Sequence, residues 1–148
     1  MYDAVFLAIH LIVAPAWVLL AFAPRWPGTQ AYAHTALIPL GLGGAYGAFL
    51  CAALMFGASA EGAGIGSIAG VSALFSHPVG VLTGWTHYLI FDLFVGAWIS
   101  RDALRRGMAY ALVIPCLALT LFFGPIGLLS YLVIRQATGK AGFSLSET

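Results

Sequence analysis

Residues 108–134 read MAYALVIPCLALTLFFGPIGLLSYLVI, a run without a single charged residue that stops at Arg135. A helix that crosses a bilayer needs about 20 mostly apolar residues. Length and hydropathy therefore predict a transmembrane helix over the whole run. Near its middle lies Gly124-Pro125-Ile126-Gly127. Proline removes one backbone hydrogen bond, and flanking glycines add freedom, so the helix is expected to kink or break there. A carbonyl freed at that point needs a partner or must line a cavity.

Three further apolar runs have spanning length, at about 4–23, 34–57 and 79–100. The chain is 61% hydrophobic and only 7% charged, against about 25% charged for a soluble domain. The expected fold is an all-α integral membrane protein with four transmembrane helices in one compact bundle. It forms a single transmembrane domain over 1–148, with a short polar tail from 135. Between the second and third runs, SAEGAGIGSIAGVSALFSHP is too polar and glycine-rich to span, but Ile65–Phe75 suits a short interfacial helix. Met1-Tyr2-Asp3 offers no basic region ahead of the first run, which is therefore expected to stay as a helix and not to be cleaved as a signal.

The net charge of +1 leaves no basic stripe for nucleic acid. Four spans would put both termini on one side. Arg25, Arg101, Arg105 and Arg106 would then face Arg135 and Lys140 across the membrane, which assigns the loops at about 24–33 and 101–107 to the cytoplasm. The setting expected is a bacterial inner membrane. Asp102 and Arg106 form a local i,i+4 pair, suited to a stop signal that attracts anionic head groups. Cys51 and Cys116 differ in depth by more than ~10 Å, so free thiols are expected. The pairs Gly43/Gly47 and Gly80/Gly84 have the small-xxx-small spacing that lets membrane helices pack closely.

Asp92 is the one acid well inside a predicted span. A carboxylate there costs roughly 2.5–3.5 kcal/mol, so it marks a functional site or a clamp between helices. His87 lies five residues earlier, about 140° away around the helix, so the two do not share a face. Trp85, Tyr88 and Asp92 follow one stripe; His87, Phe91 and Phe94 follow another. His10 and His77 fall near the depth of His87, and the three could hold a transition metal, or His10 and His87 a haem. No HxxxH pair fixes two ligands on one face, and ordinary hydrogen bonding within the helices explains them as well. The aromatic residues suit either an interfacial belt or a slot for a long apolar ligand.

Trp85-Thr86-His87-Tyr88-Leu89-Ile90-Phe91-Asp92-Leu93-Phe94, then Asp102-Ala103-Leu104, then Phe123-Gly124-Pro125-Ile126-Gly127 resemble the abscisic-acid-deficient-4-like family. The resemblance is clearest over residues 81–137 and takes in Trp85, His87, Asp92, Leu93, Phe94, Asp102, Pro125 and Gly127, but not His10 or His77. Plant members are associated with neoxanthin synthesis. The resemblance implies a carotenoid or related isoprenoid as ligand. It also implies an isomerase that opens an epoxide to an allenic alcohol, an intramolecular rearrangement that needs no redox cofactor. Asp92 and His87 would be its acid and base, in either order, and Trp85, Tyr88, Phe91, Phe94 and Pro125 would contact the substrate.

A second reading stays open at this point. The chain could bind a carotenoid, a quinone or haem without catalysis, as a homo-oligomer or as a small subunit of a larger membrane complex. Four spans without a visible inverted repeat argue against a transporter.

Overall fold

The computed structural model describes residues 1–139 and Leu145. Its elements, among those residues, are all helices: α1 (Tyr2–Phe22), α2 (Pro27–Tyr32), α3 (Leu37–Met55), α4 (Ile68–Phe75), α5 (Pro78–Arg105), α6 (Tyr110–Phe123) and α7 (Pro125–Ala137). Three stretches are long and apolar enough to cross a membrane: Tyr2–Phe22, Pro27–Met55 and Pro78–Arg105. The chain divides into two compact units. One comprises Met1–Ile12 and Ala36–Ile90, the other Val13–Thr35 and Phe91–Thr148. The long helices α1 and α5 each contribute to both.

In the first unit, Ser67 caps α4 by accepting a hydrogen bond from the Gly70 amide at 3.0 Å, as a short polar residue does at a helix start. Pro78 then opens α5, where its missing N–H costs nothing. The interfacial helix expected over Ile65–Phe75 is thus the shorter α4. Its end packs on α5 over the Gly80/Gly84 pair. A side chain at Gly80 would collide with the Leu74 carbonyl, and one at Gly84 with the Phe75 ring. These glycines admit α4. Around Gly43 and Gly47, by contrast, nothing lies within 4 Å of where a side chain would begin.

The second unit overturns the reading of residues 108–134 as a single spanning helix. α6 has 14 residues and α7 has 13, each about 20 Å long at the α-helical rise and short of the ~30 Å hydrocarbon core. They fold back on each other at Gly124, whose φ of +45° lies in the region that L side chains avoid. The glycine C-caps α6, its amide bonded to the Thr120 carbonyl at 2.9 Å, and Pro125 starts α7. The two helices approach so closely that a side chain at Gly127 would collide with the backbone nitrogen and hydroxyl of Thr120. Among the described residues there are therefore three helices of spanning length, and not clearly four.

Because α7 turns back, its end reaches the end of α5. Arg135 Nη1 donates to Asp102 Oδ2 at 3.0 Å, and the Tyr131 hydroxyl donates to the same oxygen at 2.6 Å. Arg105 Nη2 bonds Asp102 Oδ1 at 2.9 Å, and Arg106 Nε lies 3.0 Å and 2.8 Å from Oδ1 and Oδ2. Asp102 and Arg135 are fully buried. The expectation that Arg135 sits across the membrane from Arg101, Arg105 and Arg106 is thereby corrected. Lys140 lies outside the described residues.

The same end is tied by further bonds. The Tyr110 hydroxyl donates to the Leu20 carbonyl and leaves its oxygen to accept from Ser100 Oγ at 2.9 Å. Arg101 Nη1 donates to His34 Nδ1 at 3.1 Å, and Thr29 Oγ1 donates to the Ala23 carbonyl at 2.6 Å. In the middle of α5, Gly96 takes the Trp17 ring into the space a side chain would fill. The cysteines are free thiols, Cys51 exposed and Cys116 buried.

Removing one partner of a buried ion pair strands the other charge, which costs about 3–5 kcal/mol. Asp102→Ala is accordingly expected to lower the thermal unfolding midpoint in detergent sharply, whereas Asp3→Ala, on the exposed first turn of α1, leaves it nearly unchanged. Equal midpoints for the two variants would show that the cluster does not hold the α6–α7 hairpin.

Candidate functional site

α5 carries most of the residues singled out from sequence, and the structure sorts them between the two units. In the second unit, Asp92 is 9% exposed and faces the break between α6 and α7. A carbon added at Gly124 would stand 2.9 Å from Asp92 Oδ1 and 3.4 Å from Oδ2. The carboxylate thus fills the space left by the missing glycine side chain. Pro125, the next residue, is exposed.

The location has a physical logic. Helix ends leave backbone groups without helical partners. Here the last turn of α6 and the first turn of α7 meet at the buried Gly124, between the exposed Phe123 and Pro125. The start of α7 also carries partial positive charge, which favours a nearby anion. Gly127 and Leu128 amides both turn back to the Gly124 carbonyl, at 3.0 Å and 3.3 Å. This tightens the first turn beside Asp92.

Phe91 and Phe94 point elsewhere. They are 57% and 60% exposed and flank Asp92 on the outward side of α5. Phe94 borders a groove together with Val95, Trp98, Leu128 and Leu145. As substrate contacts they could act only from the apolar exterior.

In the first unit, Trp85 and Tyr88 stack with centroids 5.3 Å apart, and Phe6 stacks on Trp85 at 5.8 Å. His10 completes this group. Its Nδ1 lies 2.7 Å from the Phe6 carbonyl and must donate to it, so Nε2 is the lone-pair nitrogen that accepts from Trp85 Nε1 at 3.1 Å. Both ring nitrogens are thereby committed. His77 Nδ1 accepts from the Val79 amide at 3.2 Å and acts as a cap for α5, while the His87 ring faces Tyr46 at 5.9 Å.

Among the described residues no three histidine, cysteine or acidic side chains are placed to share a metal ion. The metal group expected from His10, His77 and His87 is therefore not assembled. Its three members have separate duties: an aromatic hydrogen bond, a helix cap and a ring contact. The His10 Nε2 lone pair, the one a haem iron would take, accepts from Trp85 Nε1.

Sequence reading missed Asp102 as a buried group and took it for a surface pair with Arg106. That pair exists, at 2.8 Å, but Tyr131 and Arg135 make it an interior cluster. The available signal was an uncompensated arginine directly after an apolar run that contains a helix break.

The contact between Asp92 and Gly124 gives a quantitative test. Gly124→Ala forces a side chain into a positive-φ site and onto a carboxylate oxygen. Backbone strain of this kind costs about 1–3 kcal/mol. In the Asp92→Ala background the steric part disappears, so a double-mutant cycle is expected to show a coupling of about 1 kcal/mol. Additivity within about 0.3 kcal/mol, measured by detergent-phase unfolding, would remove Asp92 from the break.

Searches of curated proteins and of solved structures give no match. Residues 4–131 match the sequence model described as ABA DEFICIENT 4-like, a span that takes in α1 to α6 and α7 as far as Tyr131. It includes Trp85, His87, Asp92, Asp102, Pro125 and Gly127, the positions on which the resemblance rests. The chain belongs to the ABA DEFICIENT 4-like family.

Proposed function

We propose that this chain is an intramembrane enzyme that rearranges a carotenoid or related isoprenoid by acid/base chemistry at Asp92. One observation carries the reading: among the described residues, the one acid in the middle of a helix of spanning length lies against a helix break, at Gly124. A clamp between helices needs no break. The break adds what a reacting group can use, backbone dipoles beside the carboxylate. Family membership supports a carotenoid-related role.

The reaction is an isomerisation. A base removes a proton from the carbon next to the epoxide-bearing ring carbon. The C–H electrons form the second double bond of an allene as the epoxide C–O bond breaks, and the oxygen takes up a proton as a hydroxyl. No atom or electron is gained or lost, so no redox partner enters. Asp92 suits one proton-transfer role, and the family resemblance implies His87 for the other. Positioned proton transfer contributes about 10²–10⁴-fold. In the unit that holds Asp92, the exposed rings of Phe91 and Phe94 offer apolar faces to such a ligand.

The charge distribution supports an orientation in a bacterial inner membrane. With Arg135 joined to Asp102, the basic residues of the second unit gather at the end of α5. The positive-inside rule then turns that end toward the cytoplasm.

Asp92→Asn keeps the size of the side chain and removes its capacity as a base. In cells that supply a 5,6-epoxy carotenoid, this variant is expected to accumulate at the normal level and to form product about 100-fold more slowly or less. Pigment analysis by chromatography reads the result. Unchanged product would refute the catalytic assignment. Pigment bound by both forms with no conversion by either would make the chain a carotenoid-binding protein.

A further inference from the structure

Trp17 is 6% exposed, and its indole Nε1 has no hydrogen-bond partner among the described residues. A buried indole N–H ordinarily finds an acceptor. An unpaired donor in an apolar interior is costly, so its presence calls for a reason. The ring is firmly placed. Its six-membered half fills the notch at Gly96, where an added side chain would meet Cη2 and Cζ3. The five-membered half carries Nε1.

The same residue lines a groove of about 200 Å³ between α1 and α6, within the second unit. Trp17 and Leu117 are its buried floor, while Val18 and Phe22 stand 57% and 75% exposed at its rim. Every other lining side chain is hydrocarbon, so Nε1 is the one polar side-chain atom its residues contribute. The groove also leads toward Asp92. Gly96, on which Trp17 packs, follows Asp92 by four residues on α5, about 6 Å along the axis and about 40° around it. Leu121, on the opposite wall, precedes Gly124 by three residues. Gly96 and Leu121 thus each lie within one helical turn of the contact between Asp92 and Gly124. The volume is below the roughly 300–1,000 Å³ that encloses a whole ligand. It suits one end of a long molecule whose remainder lies in lipid.

We infer that this groove receives one end of an oxygen-bearing isoprenoid, with Trp17 Nε1 donating a hydrogen bond to the ligand's oxygen. An apolar groove alone would take any hydrocarbon. The unpaired donor selects for oxygen, because an acceptor that reaches Nε1 removes the penalty of leaving it unmatched. Nε1 is itself enclosed, so the oxygen reaches it as the ligand presses the rim side chains apart. Trp17 is thereby a specificity-determining residue. The ligand class rests on the reading proposed above, but the groove uses none of the acid/base chemistry at Asp92.

The test measures binding and not turnover, with the purified full chain in a neutral detergent. β-Carotene and β-carotene 5,6-epoxide differ by a single oxygen. The epoxide is expected to bind about five-fold more tightly, the worth of one hydrogen bond. In Trp17→Phe the ratio is expected to fall to about one. The ratio is taken within each variant, so lost packing at Gly96 acts on both pigments alike. Ala118→Trp, at an exposed position on the groove, fills it without altering Trp17. It is expected to weaken both pigments about ten-fold or more, as overpacking a fitted site does. Equal binding of the two pigments by the unmodified chain, a preference that survives Trp17→Phe, or undiminished binding by Ala118→Trp would each overturn the inference. Binding of neither pigment would refute the isoprenoid reading and the inference together. The preference without any conversion would support this site and refute only the reaction.

Discussion

One carboxylate organises the second unit. Asp102 is completely enclosed, and its two oxygens receive Tyr131, Arg105, Arg106 and Arg135. In water an ion pair of this kind contributes little. Inside an apolar protein, a buried charge without a partner is very costly, so each member has a strong reason to remain. Two of the partners belong to α7. The chain must therefore bring α7 back to the end of α5 from which α6 departed. The hairpin follows from that requirement together with the positive-φ glycine between α6 and α7, Gly124.

From the hairpin comes the site. Had residues 108–134 crossed as one helix, its middle would be continuous backbone, open only where Pro125 leaves one carbonyl without its donor. The fold-back instead places two helix ends against Asp92. Gly124 serves both purposes: its positive φ makes the turn, and its missing side chain makes room for the carboxylate. Gly127 then allows α7 to press against Thr120 and close the hairpin. The buried cluster, the turn and the intramembrane acid form one chain of causes.

The long apolar runs near 4–23 and 79–100 were legible because hydropathy over about 20 residues reports burial in lipid directly. So was the helix before α5, through its apolar stretch and the proline that follows it. The hairpin was not, because a run of apolar residues has the same hydropathy whether it crosses or turns back. What separates the two is the reach of each half and the fate of Arg135, a question of partners in space. Asp92 stood out because an acid in an apolar run is expensive wherever it lies. The histidine group did not form, since similar depth says nothing about direction, and each ring found a local partner. Gly80 and Gly84 were correctly read as a contact surface, but the occupant is α4, their own neighbour in sequence, and not a second spanning helix.

The most direct check of the account is the side on which α7 ends. Single cysteines at Gly107 and Gln136, in a chain carrying Cys51→Ser and Cys116→Ser, can be probed with a membrane-impermeant maleimide in sealed vesicles of known orientation. The account predicts that both positions react from the same side, because α6 and α7 leave and return at the end of α5. Reaction of Gly107→Cys and Gln136→Cys from opposite sides would mean that the segment crosses the membrane. It would contradict the hairpin, the Asp102 cluster and the placement of Asp92 together.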